Sequence, residues 1–243
     1  MSGPVVMDDL AIGWYGKLPS AGDFVSRRLP RKLLDVLDEW LRTGVIELRA
    51  RMPDAWHETF SAAPAWNCAV PGCLTGGITF IGLIAPSRDR VGREYPICAG
   101  VALDDEIAIR DMIADAHGWL WSLGQRVLDA RDRQLPLEAF DASVLAIALP
   151  QRHESHAGSI GNDDLTMLQP EAADVTTLPM PLAQALPWPE LPSLFDAENP
   201  TSFWWTNPGA GSPLRGFSTD AGLSASLMVT LMRPLTTLAG RAP

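Results

Sequence analysis

The sequence predicts an α+β protein: a mainly antiparallel β-sheet flanked by long α-helices in an α/β/α-like sandwich. Three observations carry this prediction. Two apolar runs, Gly77–Ala85 and Ile97–Leu103, are separated by an eleven-residue polar loop, "PSRDRVGREYP". Two long segments, one ending before Pro53 and one spanning Asp104–Asp132, repeat apolar residues at helical spacing. After Pro150 prolines crowd the chain, with seven between Pro170 and Pro200, yet leucines and aromatics are interleaved among them. That predicts an irregular Pro-rich segment and a C-terminal helix that pack back on the body. Residues 10–150 then form the first unit, and residues 151–243 an extension packed on the same domain.

Taken in order, Ile12–Lys17 reads as a short strand, followed by a turn-rich segment punctuated by Pro19, Gly22 and Pro30. Pro30 stands at the start of a helix over Arg31–Met52. Its apolar face is Leu33, Leu34, Leu37, Trp40, Leu41 and Ile46, with Val45 and Leu48 beside the stripe. "AWHETF" reads as a short helix and Trp66–Val70 as a strand. Gly77–Ala85 is apolar on both alternating sets, so it belongs in the middle of a covered sheet with Ile97–Leu103 as its antiparallel neighbour. Asp104–Asp132 reads as one long helix, acidic at its start and basic near its end. Ser143–Leu149 is read as a further strand, "SFWWT" as a short aromatic strand followed by a Gly/Pro turn and "LRGFS", and Ala221–Met232 as a closing helix.

Composition narrows the function. With 47% hydrophobic and 20% charged residues the chain is a globular protein. No run reaches the ~18 apolar residues of a membrane helix. Asp8 and Asp9 stand where a signal peptide carries basic residues, so a cytoplasmic location is expected, without membrane insertion. The net charge is −10, and all of the excess lies after residue 100; the first hundred residues hold 11 basic and 11 acidic side chains. An acidic body without a basic stripe disfavours nucleic acid as a partner. Cys68, Cys73 and Cys98 form no CxxC pair and are read as buried free thiols.

Catalytic and metal signatures fail on inspection. "AIGWYGKL" lacks the first glycine and the hydroxyl residue of a phosphate loop. His153, His156, Asp163 and Asp164 lie in a polar loop with no ligand spacing, and "AGSIG" is not GxSxG. Nine tryptophans are read mostly as core, with Trp204 and Trp205 the pair expected to bring a ring near the surface. No catalytic residue, cofactor or metal is therefore expected. What stands out is two polar clusters in the neutral half. One is Lys17, Ser20, Asp23, Arg27 and Arg28; the other is Arg88, Asp89, Arg90, Arg93 and Glu94. Two readings stay open for them. They form an internal brace in which an arginine forks an aspartate, or a rigid surface that docks an acidic or phosphorylated partner.

These clusters carry a family resemblance. "GKLPSAGDFVSRR" and "PSRDRVGREYP" resemble the paired motifs G-K-x-P-x-x-G-D-F-x-x-R and P-S-x-D-x-x-G-R-x-[YF]-P of the TagF (ImpM) family of the bacterial type VI secretion system. "FWWT" is similar to an aromatic segment late in such proteins. The resemblance implies a cytosolic, non-enzymatic, post-translational negative regulator of the apparatus. The implied partner is a forkhead-associated scaffold protein of the same system. The expected contact surface is Lys17, Ser20, Asp23, Arg28, Arg88, Asp89 and Arg93. Two other functions are weighed beside it: a small-ligand or anion sensor built on the same arginines, and a hydrolase using Ser20 or Ser87.

Overall fold

The computed structural model describes residues 10–150, 190–207 and 215–234. Its centre is a seven-stranded sheet of order β2-β1-β5-β4-β3-β6-β7, antiparallel throughout. The strands are β1 (Gly13–Gly16), β2 (Val25–Arg27), β3 (Trp66–Val70), β4 (Thr79–Ala85), β5 (Ile97–Leu103), β6 (Ser202–Thr206) and β7 (Gly216–Thr219). β4, apolar on both faces, is the fourth of seven and is buried along its whole length. The late strand β6 pairs with β3, so residues beyond 190 complete the same sheet as the first half.

Helices cover both faces. On one side lie α1 (Arg31–Arg51), α2 (Trp56–Ser61) and α7 (Ala225–Leu231), packed on Cys68, Phe80, Ile84 and Trp204. On the other lie α3 (Glu106–Ala114), α4 (Ala116–Arg133), α5 (Leu137–Leu145) and α6 (Leu191–Leu194), packed on Ile81, Leu83, Val101 and Trp205. Alternate residues of each central strand feed the two cores, as the two-residue period of a strand requires. No helix among the described residues is long and apolar enough to cross a membrane.

Four expectations are corrected. Asp104–Asp132 is not one helix: α3 stops at Asp115, a non-helical residue that is also the first cap of α4. The stripe Ala108, Ile109, Met112, Ile113 and the stripe Trp119, Leu120, Leu123, Val127 pack into the same core, and their helical spacing runs on through Ala116 without announcing the break at Asp115. Ser143–Leu149 is not a strand. Pro136 opens α5 and sets Phe140 and Val144 one turn apart on the core, so helical spacing overrides the local alternation. Trp204 and Trp205 are both fully buried, because β6 is an interior strand with a core on each face. Cys73 is exposed, while Cys68 and Cys98 are buried as expected.

Ile46 also faces solvent, and Val45 and Leu48 take its place on the buried stripe of α1. Buried indoles are paired: Trp40 donates to the Ser224 carbonyl, Trp66 to the Leu231 carbonyl and Trp119 to the Met112 carbonyl, at 2.9, 2.8 and 3.2 Å. His153, His156, Asp163, Asp164 and most of the Pro-rich segment lie outside the described residues.

Candidate functional site: two interlocked loops at one end of the sheet

The register of the strands places the two motif loops together. Gly16, the last residue of β1, pairs with Ile97, the first residue of β5, and Ala85 at the end of β4 pairs with Ile97 from the other side. The loop after β1 (residues 17–24) and the loop between β4 and β5 (residues 86–96) therefore leave the same end of the sheet. The contact is close: a Cβ at Gly16, whose φ is +137°, would lie 2.3 Å from the Pro96 carbonyl oxygen. Only glycine fits there.

Asp89 sits at the centre of the junction and is 1% exposed. Its Oδ1 accepts from the backbone N–H of Val91 at 3.0 Å and of Arg93 at 2.9 Å. Its Oδ2 accepts from Lys17 Nζ at 3.0 Å and from Arg93 Nε at 2.7 Å. Burial by itself would raise the carboxyl's pKa. The Arg93 backbone N–H, then the Lys17 and Arg93 side chains, outweigh it and hold Asp89 far below the ordinary carboxylate range. The Lys17 side chain is nearly buried and Arg93 is mostly exposed, so Lys17–Asp89 is the interior half of the network.

Backbone bonds complete the lock. Ser87 Oγ donates to the Lys17 carbonyl at 2.7 Å, and the Arg90 N–H donates to the Ala21 carbonyl at 2.8 Å. Arg93 Nη2 donates to the Gly22 carbonyl at 2.8 Å. Within the second loop, the Asp89 N–H donates to the Arg93 carbonyl and the Tyr95 N–H to the Ser87 carbonyl.

Beneath the loops lies an aromatic and acidic box that the sequence did not announce. The Tyr15 hydroxyl donates to Asp38 Oδ1 on α1, and the Tyr95 hydroxyl is 3.3 Å from the same oxygen. Burial, reinforced by Asp38, raises the Tyr15 pKa above its ordinary value; burial likewise raises that of Tyr95. The Phe24 ring stacks on Tyr15 and meets Tyr95 edge-on, with centroids 5.9 and 4.7 Å apart. Lys17 Nζ stands 4.9 Å from the Phe24 ring centre. The signal for this box was present as "WY" in β1 and "DEW" in α1, but only packing shows that they meet.

The expected surface residues divide. Lys17, Asp89 and Arg93 converge in the network above. Asp23 is apart from it, exposed, with its Oδ1 accepting from the Phe24 N–H at 2.8 Å. Ser20 Oγ is buried and has no hydrogen-bond partner among the described residues. Arg28 points elsewhere. It adopts a left-handed backbone (φ 58°) and joins Asp141 of α5 at 2.5 Å, with Trp14 Nε1 donating to the same carboxylate at 2.7 Å. The Arg28 guanidinium, hydrogen-bonded to the carboxylate, draws Asp141's pKa below the ordinary value.

Arg88 faces a cleft of about 310 Å³ lined by Phe60, Ser61, Glu94 and Arg131. There Glu94 accepts from Ser61 Oγ at 2.7 Å and lies 2.6 Å from His57 Nδ1. Among the described residues no group of three His, Cys, Asp or Glu is placed to hold a metal ion.

A seven-stranded antiparallel sheet with helices on both faces, closed at one end by two motif loops locked through a buried Lys–Asp pair, defines the class. The chain belongs to the family of the TagF N-terminal domain, type VI secretion system-associated, whose profile matches residues 13–147. It is a type VI secretion system-associated protein. Among solved structures it is similar to the crystal structure of PA0076 from Pseudomonas aeruginosa PAO1, with 24% identity and a TM-score of 0.67. That match covers 96% of this chain and 99% of the other, and it shows a shared fold. No curated protein matches.

Proposed function

We propose that this protein is a cytoplasmic, non-enzymatic negative regulator of type VI secretion, acting after translation by protein–protein contact. The observation that carries this reading is the fate of the motif residues. Lys17, Ser87, Asp89 and Arg93 are bonded to one another and to backbone, which makes a rigid platform and leaves no nucleophile–base pair among them. Ser87 uses its hydroxyl on a carbonyl, and Ser20 has no hydrogen-bonded base among the described residues, which supports a role other than hydrolysis. The partner proposed is a forkhead-associated scaffold protein of the same apparatus.

The test is deletion of the gene in a host carrying the secretion cluster, followed by complementation from a constant promoter. Secretion is expected to rise on deletion and fall on complementation with cluster transcripts unchanged. Secretion that stays level or drops on deletion refutes the reading. The sensor alternative rests on Arg88, which faces the 310 Å³ cleft without a hydrogen-bonded side-chain partner among the described residues. A rise in melting temperature with phosphate or nucleotides that Arg88→Ala abolishes would favour it.

A further inference from the structure

The platform has an outer edge that the lock does not use. Phe24 is 44% exposed although its ring is clamped by Tyr15, Tyr95 and Lys17. Val91, at the tip of the neighbouring loop, is 70% exposed. Arg90, next to Val91 in the chain, is exposed, and its side chain makes no hydrogen bond or ion pair among the described residues. It lies against Gly22, where a Cβ would come 3.2 Å from its Nη2. A pre-ordered aromatic beside an uncommitted guanidinium is the composition of an interface hot spot.

We propose, building on the protein-contact reading above, that Phe24, Arg90 and Val91 form the docking edge for an unphosphorylated acidic segment of a partner protein. The segment sets an apolar side chain on Phe24 and Val91 and a carboxylate on Arg90. Charge complementarity selects this occupant. The two motif loops (residues 17–24 and 86–96) hold four basic side chains against three acidic ones, in a chain whose net charge is −10. Asp23, the acid adjoining the edge, has one oxygen engaged by the Phe24 N–H. Arg93 is committed to Asp89 and to the Gly22 carbonyl, so Arg90 offers one free guanidinium. A single free guanidinium matches a carboxylate better than a phosphoryl group, which recruits several cations.

The test is fluorescence anisotropy of the full chain with a labelled peptide of glutamates and leucines. Its companions carry lysine for glutamate, serine for leucine, or phosphoserine for glutamate. Binding of the Glu/Leu peptide is expected, weakening with salt. Arg90→Glu should weaken it about tenfold or more, and Phe24→Ala about fivefold or more. Arg88→Glu, on the cleft side of the same hairpin, should change affinity by less than about twofold and so reports non-specific charge. Melting temperatures confirm that each variant is folded.

Absence of binding by the wild type overturns the proposal. So does equal weakening by Arg88→Glu and Arg90→Glu, or tighter binding of the phosphoserine or lysine peptide. If the wild type binds as expected but does not repress secretion in the host, the regulatory reading fails and the docking edge stands.

Discussion

Asp89→Asn removes the charge from the junction and puts an NH2 donor where Oδ2 accepted from Lys17 and Arg93. The Asn side-chain carbonyl can still accept the Val91 and Arg93 N–H bonds now made to Oδ1. What is lost is the anion between Lys17 Nζ and Arg93 Nε. Removing one partner of a buried pair leaves the other charge uncompensated, at about 3–5 kcal/mol. Because Arg93 is mostly exposed and hydrated, its half of the network contributes only about 0–1 kcal/mol. The expected loss therefore comes mainly from Lys17 and is about 3 kcal/mol, or roughly 6–12 °C in melting temperature for a chain of this size.

Urea unfolding with circular dichroism measures it. The folded-state pKa of Asp89 is depressed, so the wild-type advantage is complete above the unfolded carboxyl pKa of about 4 and falls as acid approaches the folded value. The stability gap between wild type and Asp89→Asn should thus narrow as the pH drops from 7 to 3. Adding Lys17→Met to Asp89→Asn should recover part of the loss. A loss under about 1 kcal/mol at pH 7, or a gap unchanged with pH, refutes the brace.

Other outcomes follow from the same geometry. Gly16→Ala forces a Cβ to 2.3 Å from the Pro96 oxygen at positive φ and should destabilise by about 2 kcal/mol or more in a thermal melt. Asp89→Leu should be worse than Asp89→Asn by about 1–3 kcal/mol in urea unfolding, since it orphans two backbone N–H groups as well. Asp141→Ala breaks a partly exposed tie between α5 and β1, and should cost about 1–2 kcal/mol while raising hydrogen exchange in α5 above that in α1. Thiol titration of the native chain with an aromatic disulfide should report Cys73 alone. Cys98, pushed up to about 12 by burial, and buried Cys68 should react only after unfolding.

Sequence by itself determined the elements whose periodicity is strong. β4 is recognisable because both of its alternating sets are apolar, a pattern that only a strand covered on two sides can bury. α1 follows from its stripe and from the prolines at its ends. The motif loops could be read as important because glycine, proline and charge recur at fixed spacing in them. Where periodicities competed, the sequence misled. Val144 to Leu149 alternates like a strand, yet Phe140 and Val144 gain more by sharing a helix face against the core.

Tertiary structure alone decided which charges pair. Spacing cannot tell that Lys17 reaches Asp89 while Arg28 turns to Asp141, 113 residues further along the chain. It also could not show that Trp204 and Trp205 are interior, since β6 becomes covered only by pairing with β3, more than a hundred residues earlier. Local propensity acts over a few residues, whereas the burial that fixes a charge's partner depends on strand register. Here the meeting of Gly16 and Ala85 at Ile97 turned two separate motifs into one junction.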